Sequence, residues 1–214
     1  MTRARWFHLL TFGVAGFALV LQLVLTLQGH HVLDERGRLD HGTRLVRFCS
    51  YLTIWGNVLV AGSAAALAFG RLPDSRVARA LRLDAVVLIA VVGVVHYLFL
   101  RPLLDLHGND WVADKLLHMV VPALGVLGWL LFGPRGRAAW ADLPLFLVVP
   151  VAWLAYTLVR GELTDWYPYP FIDVNEHGYG VVLLNCLGVA ALMTAFFAGT
   201  VWLDGRLNRG RPAP

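Results

Sequence analysis

The chain has 214 residues, of which 58% are apolar and only 15% are charged, and its mean hydropathy is +0.64. Soluble domains are about 45–50% apolar and about 25% charged, so a water-soluble domain of this size could not cover so much apolar surface. The composition excludes a soluble enzyme, a nucleic-acid-binding protein and a disordered chain. The net charge of +4 is then expected to set membrane topology rather than to bind nucleic acid.

Six apolar runs follow one another along the chain, each close to the ~20 residues that span a hydrocarbon core. They cover roughly 6–28, 45–69, 83–101, 115–132, 143–160 and 177–203. The first run is long, and the Gln28-Gly29-His30 sequence after it is a poor cleavage site, so we interpret it as a retained span and not a signal peptide. The pattern predicts an all-α polytopic membrane protein, with residues 1–214 forming one domain, a bundle of six transmembrane helices.

The distribution of basic residues indicates the orientation. With the N-terminus in the cytoplasm, 11 basic residues lie on the inner side and seven on the outer side. Cytoplasmic segments carry the excess of Lys and Arg, so we expect both termini on the cytoplasmic side. The protein is expected in the cell membrane, which is the inner membrane if the source is bacterial.

With this orientation, polar residues concentrate in the outer halves of the spans. Thr53 and Asn57 are four residues apart and share a helix face, as do Asp114 and His118, while His96 and Asn185 also fall on the outer side. Polar groups within hydrocarbon usually face the bundle interior or a wet cavity, so an outward-opening cavity is expected. The inner halves are predicted to be almost free of such groups. A single Thr or Asn in a span more often makes an interhelical hydrogen bond than acts as a catalyst.

Pro122 interrupts the fourth span one turn after His118. Proline lacks the N–H that would bond the carbonyl four residues earlier, which is that of His118. We expect a bend here, which could line a cavity or be purely structural.

Two outer loops carry further candidates. The last one, Asp165 to Phe171, combines two prolines with aromatic rings, and it is either an interfacial aromatic belt or a stiff rim over the cavity mouth. Its rim residues would be Trp166, Tyr167, Tyr169 and Phe171. The first outer loop contains His30, His31, Asp34, Glu35 and His41, which are metal-ligand types in a spacing that matches no recognised site.

Three motifs in matching order resemble the androgen-induced and androgen-dependent six-transmembrane protein family. They are Phe48 to Asn57 (FCSYLTIWGN), His118 to Pro122 (HMVVP) and Tyr167 to Phe171 (YPYPF). Animal members of that family hydrolyse fatty acid esters of hydroxy fatty acids with a threonine nucleophile. The family pattern falls here on Thr53 of Tyr51-Leu52-Thr53, and its essential histidine falls on His118, although the spacing to the proline differs by a residue.

The resemblance implies nucleophilic catalysis on a membrane lipid or fatty-acyl ester, without a metal or a cofactor. Thr53 would attack the ester carbonyl, and His118 would act as its general base. Asn57 or Asn185 could donate to an oxyanion, and His96 could be a second base or a structural partner.

Two alternatives remain open on the sequence alone. One is a non-catalytic lipid-binding or scaffold protein of the same fold, and the other is a metal- or haem-binding membrane protein that uses His96 and His118. Counting helical rise from the predicted span starts places Thr53 about 12 Å deep and His118 about 5 Å deep, a mismatch of about 7 Å for a hydrogen-bonded pair.

Overall fold

The structure, a computed structural model, describes residues 1–30, 39–136 and 138–208. Within these ranges the regular structure is helical and no strand occurs, which confirms the all-α class. His31, Asp34 and Glu35 of the first outer loop lie outside the described residues. The α-helices are α1 (Arg3–Gln28), α2 (His41–Ser50), α3 (Leu52–Ala68), α4 (Arg76–Val95), α5 (Gly108–Lys115), α6 (Val121–Phe132), α7 (Leu143–Phe146), α8 (Val148–Thr164) and α9 (Val174–Asn208).

Five helical stretches among the described residues are long and apolar enough to cross a membrane. They are Arg3–Gln28, Arg76–Leu103, Gly108–Phe132, Trp140–Thr164 and Val174–Asn208. The pair α2 and α3 adds a sixth if it is counted as one bent span. Each stretch overlaps one of the six predicted spans.

The second predicted span is two helices that meet at an angle of 70°. The Ser50 hydroxyl donates to the Val46 carbonyl one turn earlier, a type of bond that competes with the helical ladder and often bends helices. Tyr51 then adopts extended backbone, and α3 starts afresh at Leu52. The sequence predicted one continuous helix because this break contains neither proline nor glycine.

The chain divides into two compact units, Met1–Pro134 and Arg135–Pro214. In the N-terminal unit, α1, α3, α4 and α6 pack against one another. Small and β-branched residues allow these helices to approach closely. The buried cluster at their centre comprises Ala15, Ala18, Val60, Ala61, Ala85, Ile89, Leu117 and Val121.

The C-terminal unit contains α7, α8 and α9, and aromatic contacts hold it together. The Phe197 ring of α9 packs against Trp140 and Phe146, with ring centroids 5.8 and 4.9 Å apart. The backbone of α9 leaves the helical conformation at Gly178, where φ is 71°. This value lies in the region that favours glycine, so the kink is encoded at that residue.

Candidate active site

Thr53 occupies the first turn of α3, directly after the bend from α2. Its side chain is only 5% exposed. No side chain caps the start of α3, and the Ile54 N–H turns back to the Tyr51 carbonyl at 3.0 Å. The start of a helix carries N–H groups that the helix itself does not use and a partial positive charge. The bend therefore places the Thr53 hydroxyl where negative charge would be stabilised.

His118 lies in a π-helical segment, Leu116–Val120, between α5 and α6. The Val121 N–H donates to the Leu116 carbonyl, five residues back, which is the π-helical pattern. Pro122 is in the first turn of α6, where a missing N–H costs little. The expected irregularity is thus a π-helical turn within a helical stretch that continues from Gly108 to Phe132.

α4 approaches the π-helical segment of His118 closely at Gly93. A Cβ at this position would lie 3.1 Å from the His118 main-chain oxygen and 3.5 Å from Cβ of Pro122. A larger residue here would push the π-helical segment away from α4, so Gly93 helps to fix the position of His118 relative to α4.

The side chains of Thr53 and His118 are in direct contact. Oγ1 of Thr53 and Nε2 of His118 are 3.2 Å apart. Nδ1 of His118 is 3.1 Å from the main-chain oxygen of Asp114 and 3.1 Å from its carboxylate Oδ1. Both neighbours of Nδ1 are acceptors, so in the neutral ring the proton belongs on Nδ1. Nε2 then presents its lone pair, and the Thr53 hydroxyl donates to it.

Asp114 completes a line of three side chains. Its carboxylate is 5% exposed, and Nζ of Lys115 lies 2.8 Å from Oδ2. Lys115 is the only lysine of the chain. Thr53, His118 and Asp114 therefore lie in a row, with the imidazole between the hydroxyl and the carboxylate. The sequence placed Asp114 on the same helix face as His118 but assigned it no role.

His96 packs directly on His118. It begins a second π-helical segment, His96–Leu100, and its ring stacks on that of His118 with centroids 3.7 Å apart and planes 8° from parallel. Nε2 of His96 is 3.0 Å from Oδ1 of Asp114. π-Helical turns are rare and occur frequently at functional sites, and here each of two helices contributes one that holds a histidine.

The side-chain amide of Asn57 donates to main-chain carbonyls. It donates to the Thr53 carbonyl at 2.8 Å and to the Leu117 carbonyl at 3.2 Å. One amide hydrogen thereby bonds within α3, and the other joins α3 to the π-helical segment of His118. Asn57 holds the two halves of the site together and has no hydrogen left for an oxyanion.

His96, Asp114 and His118 also form a possible metal-binding group, with one ligand atom from each within 4.8 Å of the others. An imidazole binds a metal along the lone pair in its own plane. Because the two rings are parallel and 3.7 Å apart, no ion can lie in both planes. The stacked geometry fits a shared carboxylate better than a shared metal, and it leaves no room for a porphyrin between the histidines.

The other predicted site residues belong to the C-terminal unit. Asn185 donates to the Phe171 carbonyl at 2.8 Å, so its amide fixes the aromatic loop. Tyr167 and Tyr169 are buried, whereas a rim would expose them. A Cβ at Gly161 would overlap the Tyr167 ring, which shows how closely this loop packs onto α8. The Arg160 guanidinium lies 4.7 Å from the centre of the Trp166 ring.

A second group of buried polar residues lies at the other end of the N-terminal unit. His8, Thr11 and Arg82 line a cavity there together with Ser63, which is ten residues, or about 15 Å, beyond Thr53 along α3. Asp84 is fully buried nearby in the sequence. Polar side chains are therefore buried at this end of the helices as well as around Thr53.

Comparisons with protein families, curated proteins and solved structures give no match to this chain.

The π-helical turn before Pro122 is expected to matter for the position of His118. Pro122→Ala restores an N–H that can bond the His118 carbonyl, which favours an ordinary α-helical turn and rotates the imidazole away from Thr53. Misplacement of a reacting group by about 1 Å can cost about 100-fold in rate. We expect a loss of this order in the rate of labelling of Thr53 by a fluorophosphonate, with the protein still inserted.

Pro150→Ala is the matched control, because Pro150 lies in the first turn of α8 in the other unit. Unchanged labelling of Pro122→Ala would show that the proline is incidental to the site.

Proposed function

We propose that this protein is an integral membrane hydrolase of lipid esters, with Thr53 as nucleophile, His118 as general base and Asp114 as the carboxylate that orients the base. The observation that supports this most strongly is the contact of Thr53 Oγ1 with Nε2 of His118 at 3.2 Å, combined with two acceptors at Nδ1. A threonine hydroxyl is a weak nucleophile, and a base with its lone pair directed at the hydroxyl is what it requires.

The reaction proceeds in two halves. Oγ1 of Thr53 attacks the carbonyl carbon of the ester while Nε2 of His118 takes the hydroxyl proton. The tetrahedral intermediate collapses, the bond to the alcohol oxygen breaks, and His118 returns the proton to that oxygen. A water molecule then attacks the acyl-threonine with His118 again as base, which releases the fatty acid and restores the Thr53 hydroxyl.

The start of α3 is suited to the negative charge that develops on the carbonyl oxygen. Thr53 lies in the first turn, so the positive end of the helix and its unused N–H groups are next to the reacting carbon. With both termini in the cytoplasm, as the basic residues favour, the site is at the outer side of the membrane and takes its substrate from the lipid.

The alternative is a non-catalytic lipid-binding or scaffold protein. The low exposure of Thr53 favours it, because a buried threonine paired with a histidine is also an ordinary interhelical hydrogen bond. In that case the hydroxyl would be inert towards esters.

Covalent labelling distinguishes the two. We expect the purified protein in lipid nanodiscs to react with an alkyl fluorophosphonate, with one adduct per chain that mass spectrometry places on the peptide containing Thr53. Heat-unfolded protein is the control for nonspecific reaction. A folded protein without an adduct on Thr53 would support the scaffold function.

A further inference from the structure

His96 has no part in the reaction as described, yet it is buried in contact with both Asp114 and His118. The side chain is 3% exposed and lies within a membrane-spanning stretch, where an imidazole needs a polar partner. Its Nε2 lies 3.0 Å from Oδ1 of Asp114, and neither atom has a hydrogen bond among the described residues. Buried polar atoms are nearly always hydrogen-bonded, so a donor and an acceptor at this distance are expected to pair with each other.

The carboxylate of Asp114 is therefore held from two sides. Lys115 is at Oδ2 and His96 is at Oδ1. His118 alone would not keep the carboxylate in place, because its Nδ1 has the main-chain oxygen of Asp114 at the same distance of 3.1 Å. Without His96, Oδ1 is free to turn away from the base.

The stacking adds a requirement on protonation. His118 gains a proton during the reaction, and a second positive charge on a parallel ring 3.7 Å away would oppose this. In a neutral His96 ring, the nearby carboxylate favours the single proton on Nε2.

We propose that His96 is a positioning residue of this site. Its Nε2–H holds Oδ1 of Asp114 against Nδ1 of His118, and its ring packs on the His118 ring and fixes the orientation of the base. The inference rests on the proposed function of Thr53 and His118. It assigns His96 a donor role, which a merely space-filling aromatic ring could not replace.

Chemical rescue tests the donor role directly. In the full-length protein, His96→Ala should lower the maximal rate of labelling by a fluorophosphonate roughly 10- to 100-fold, with little change in the half-saturating probe concentration. The substitution leaves a slot the size of one five-membered ring beside His118. Imidazole and pyrrole, which carry an N–H, should restore at least part of the rate, whereas furan, a ring of the same size without an N–H, should not.

Two substitutions repeat the comparison within the chain. His96→Gln keeps an N–H and should retain more activity than His96→Phe, which keeps only a flat ring. His8→Ala, which removes another buried histidine of the same unit, should label at the rate of the native protein.

The outcomes separate this inference from the proposed function. Equal rescue by furan and pyrrole, or His96→Phe labelling as fast as the native protein, would overturn the donor role. If the native protein itself gains no adduct on Thr53, the proposed function fails, and this inference fails with it.

Discussion

Thr53→Ala is expected to abolish both ester hydrolysis and labelling by a fluorophosphonate. The substitution removes the proposed nucleophile, and loss of the nucleophile in hydrolytic triads lowers kcat by about 10⁴-fold or more. The fold should persist, because the Thr53 carbonyl that receives the Asn57 amide is retained. Both rates are measured on protein in nanodiscs, with the melting temperature as the check on folding.

Thr53→Ser refines the same prediction. Serine keeps the hydroxyl and loses only a methyl group, so part of the labelling and hydrolysis should remain. Thr11→Ala is the matched control, since Thr11 is a buried threonine of the same unit whose hydroxyl only donates to the Phe7 carbonyl. An adduct on folded Thr53→Ala protein would identify another nucleophile and end the proposal for Thr53.

The contact between Thr53 and His118 was expected from the family resemblance but not from helix geometry. Rise along the helices placed the two about 7 Å apart in depth, because the predicted spans began at 45 and 115. The described helices begin instead at Leu52 and Gly108, and the α2–α3 bend sets where Thr53 lies. Hydropathy locates apolar stretches, but it does not detect a bend within one of them that has neither proline nor glycine.

The environment of the base was the less predictable part of the site. An acidic residue four positions before a histidine on a helix is within reach of it, so the role of Asp114 could have been found from sequence spacing. The stacking of His96 on His118 could not, because it depends on two π-helical segments that turn both rings to the same side. Such turns leave no recognisable pattern in composition or periodicity.

Polar residues of the C-terminal unit show the limit of reasoning from depth alone. Asn185 was a candidate because it lies in the outer half of its span, as Asn57 does. In the structure each amide serves a backbone carbonyl, Phe171 for one and Leu117 for the other. Both asparagines thus fix local geometry, which is the commoner role for an amide in a transmembrane helix.

His118→Ala is expected to have an effect nearly as large as that of Thr53→Ala on hydrolysis. The substitution removes the proposed base, and the Asp114 carboxylate contacts Nδ1, the ring nitrogen that does not face Oγ1. Residues that act as a unit are not additive, so the double variant should be no slower than the worse of the two single variants. His107→Ala removes an exposed loop histidine and should leave the rate unchanged. A folded His118→Ala protein that hydrolyses at the native rate would exclude His118 as the base.

Asp114→Asn should cost much less than either, and the reason is specific to this site. In triads where the carboxylate alone fixes the tautomer of the histidine, its amide variant loses about 10⁴-fold in kcat. Here the main-chain oxygen of Asp114 accepts from Nδ1 at 3.1 Å, while carboxylate Oδ1 lies at the same distance without a hydrogen bond, and the main-chain bond survives the substitution. The correct tautomer is therefore retained, and only the stabilisation of the imidazolium is lost, so we expect a decrease of about 10- to 100-fold. A loss as large as that of His118→Ala, in protein with native melting behaviour, would show that the carboxylate and not the backbone determines the tautomer.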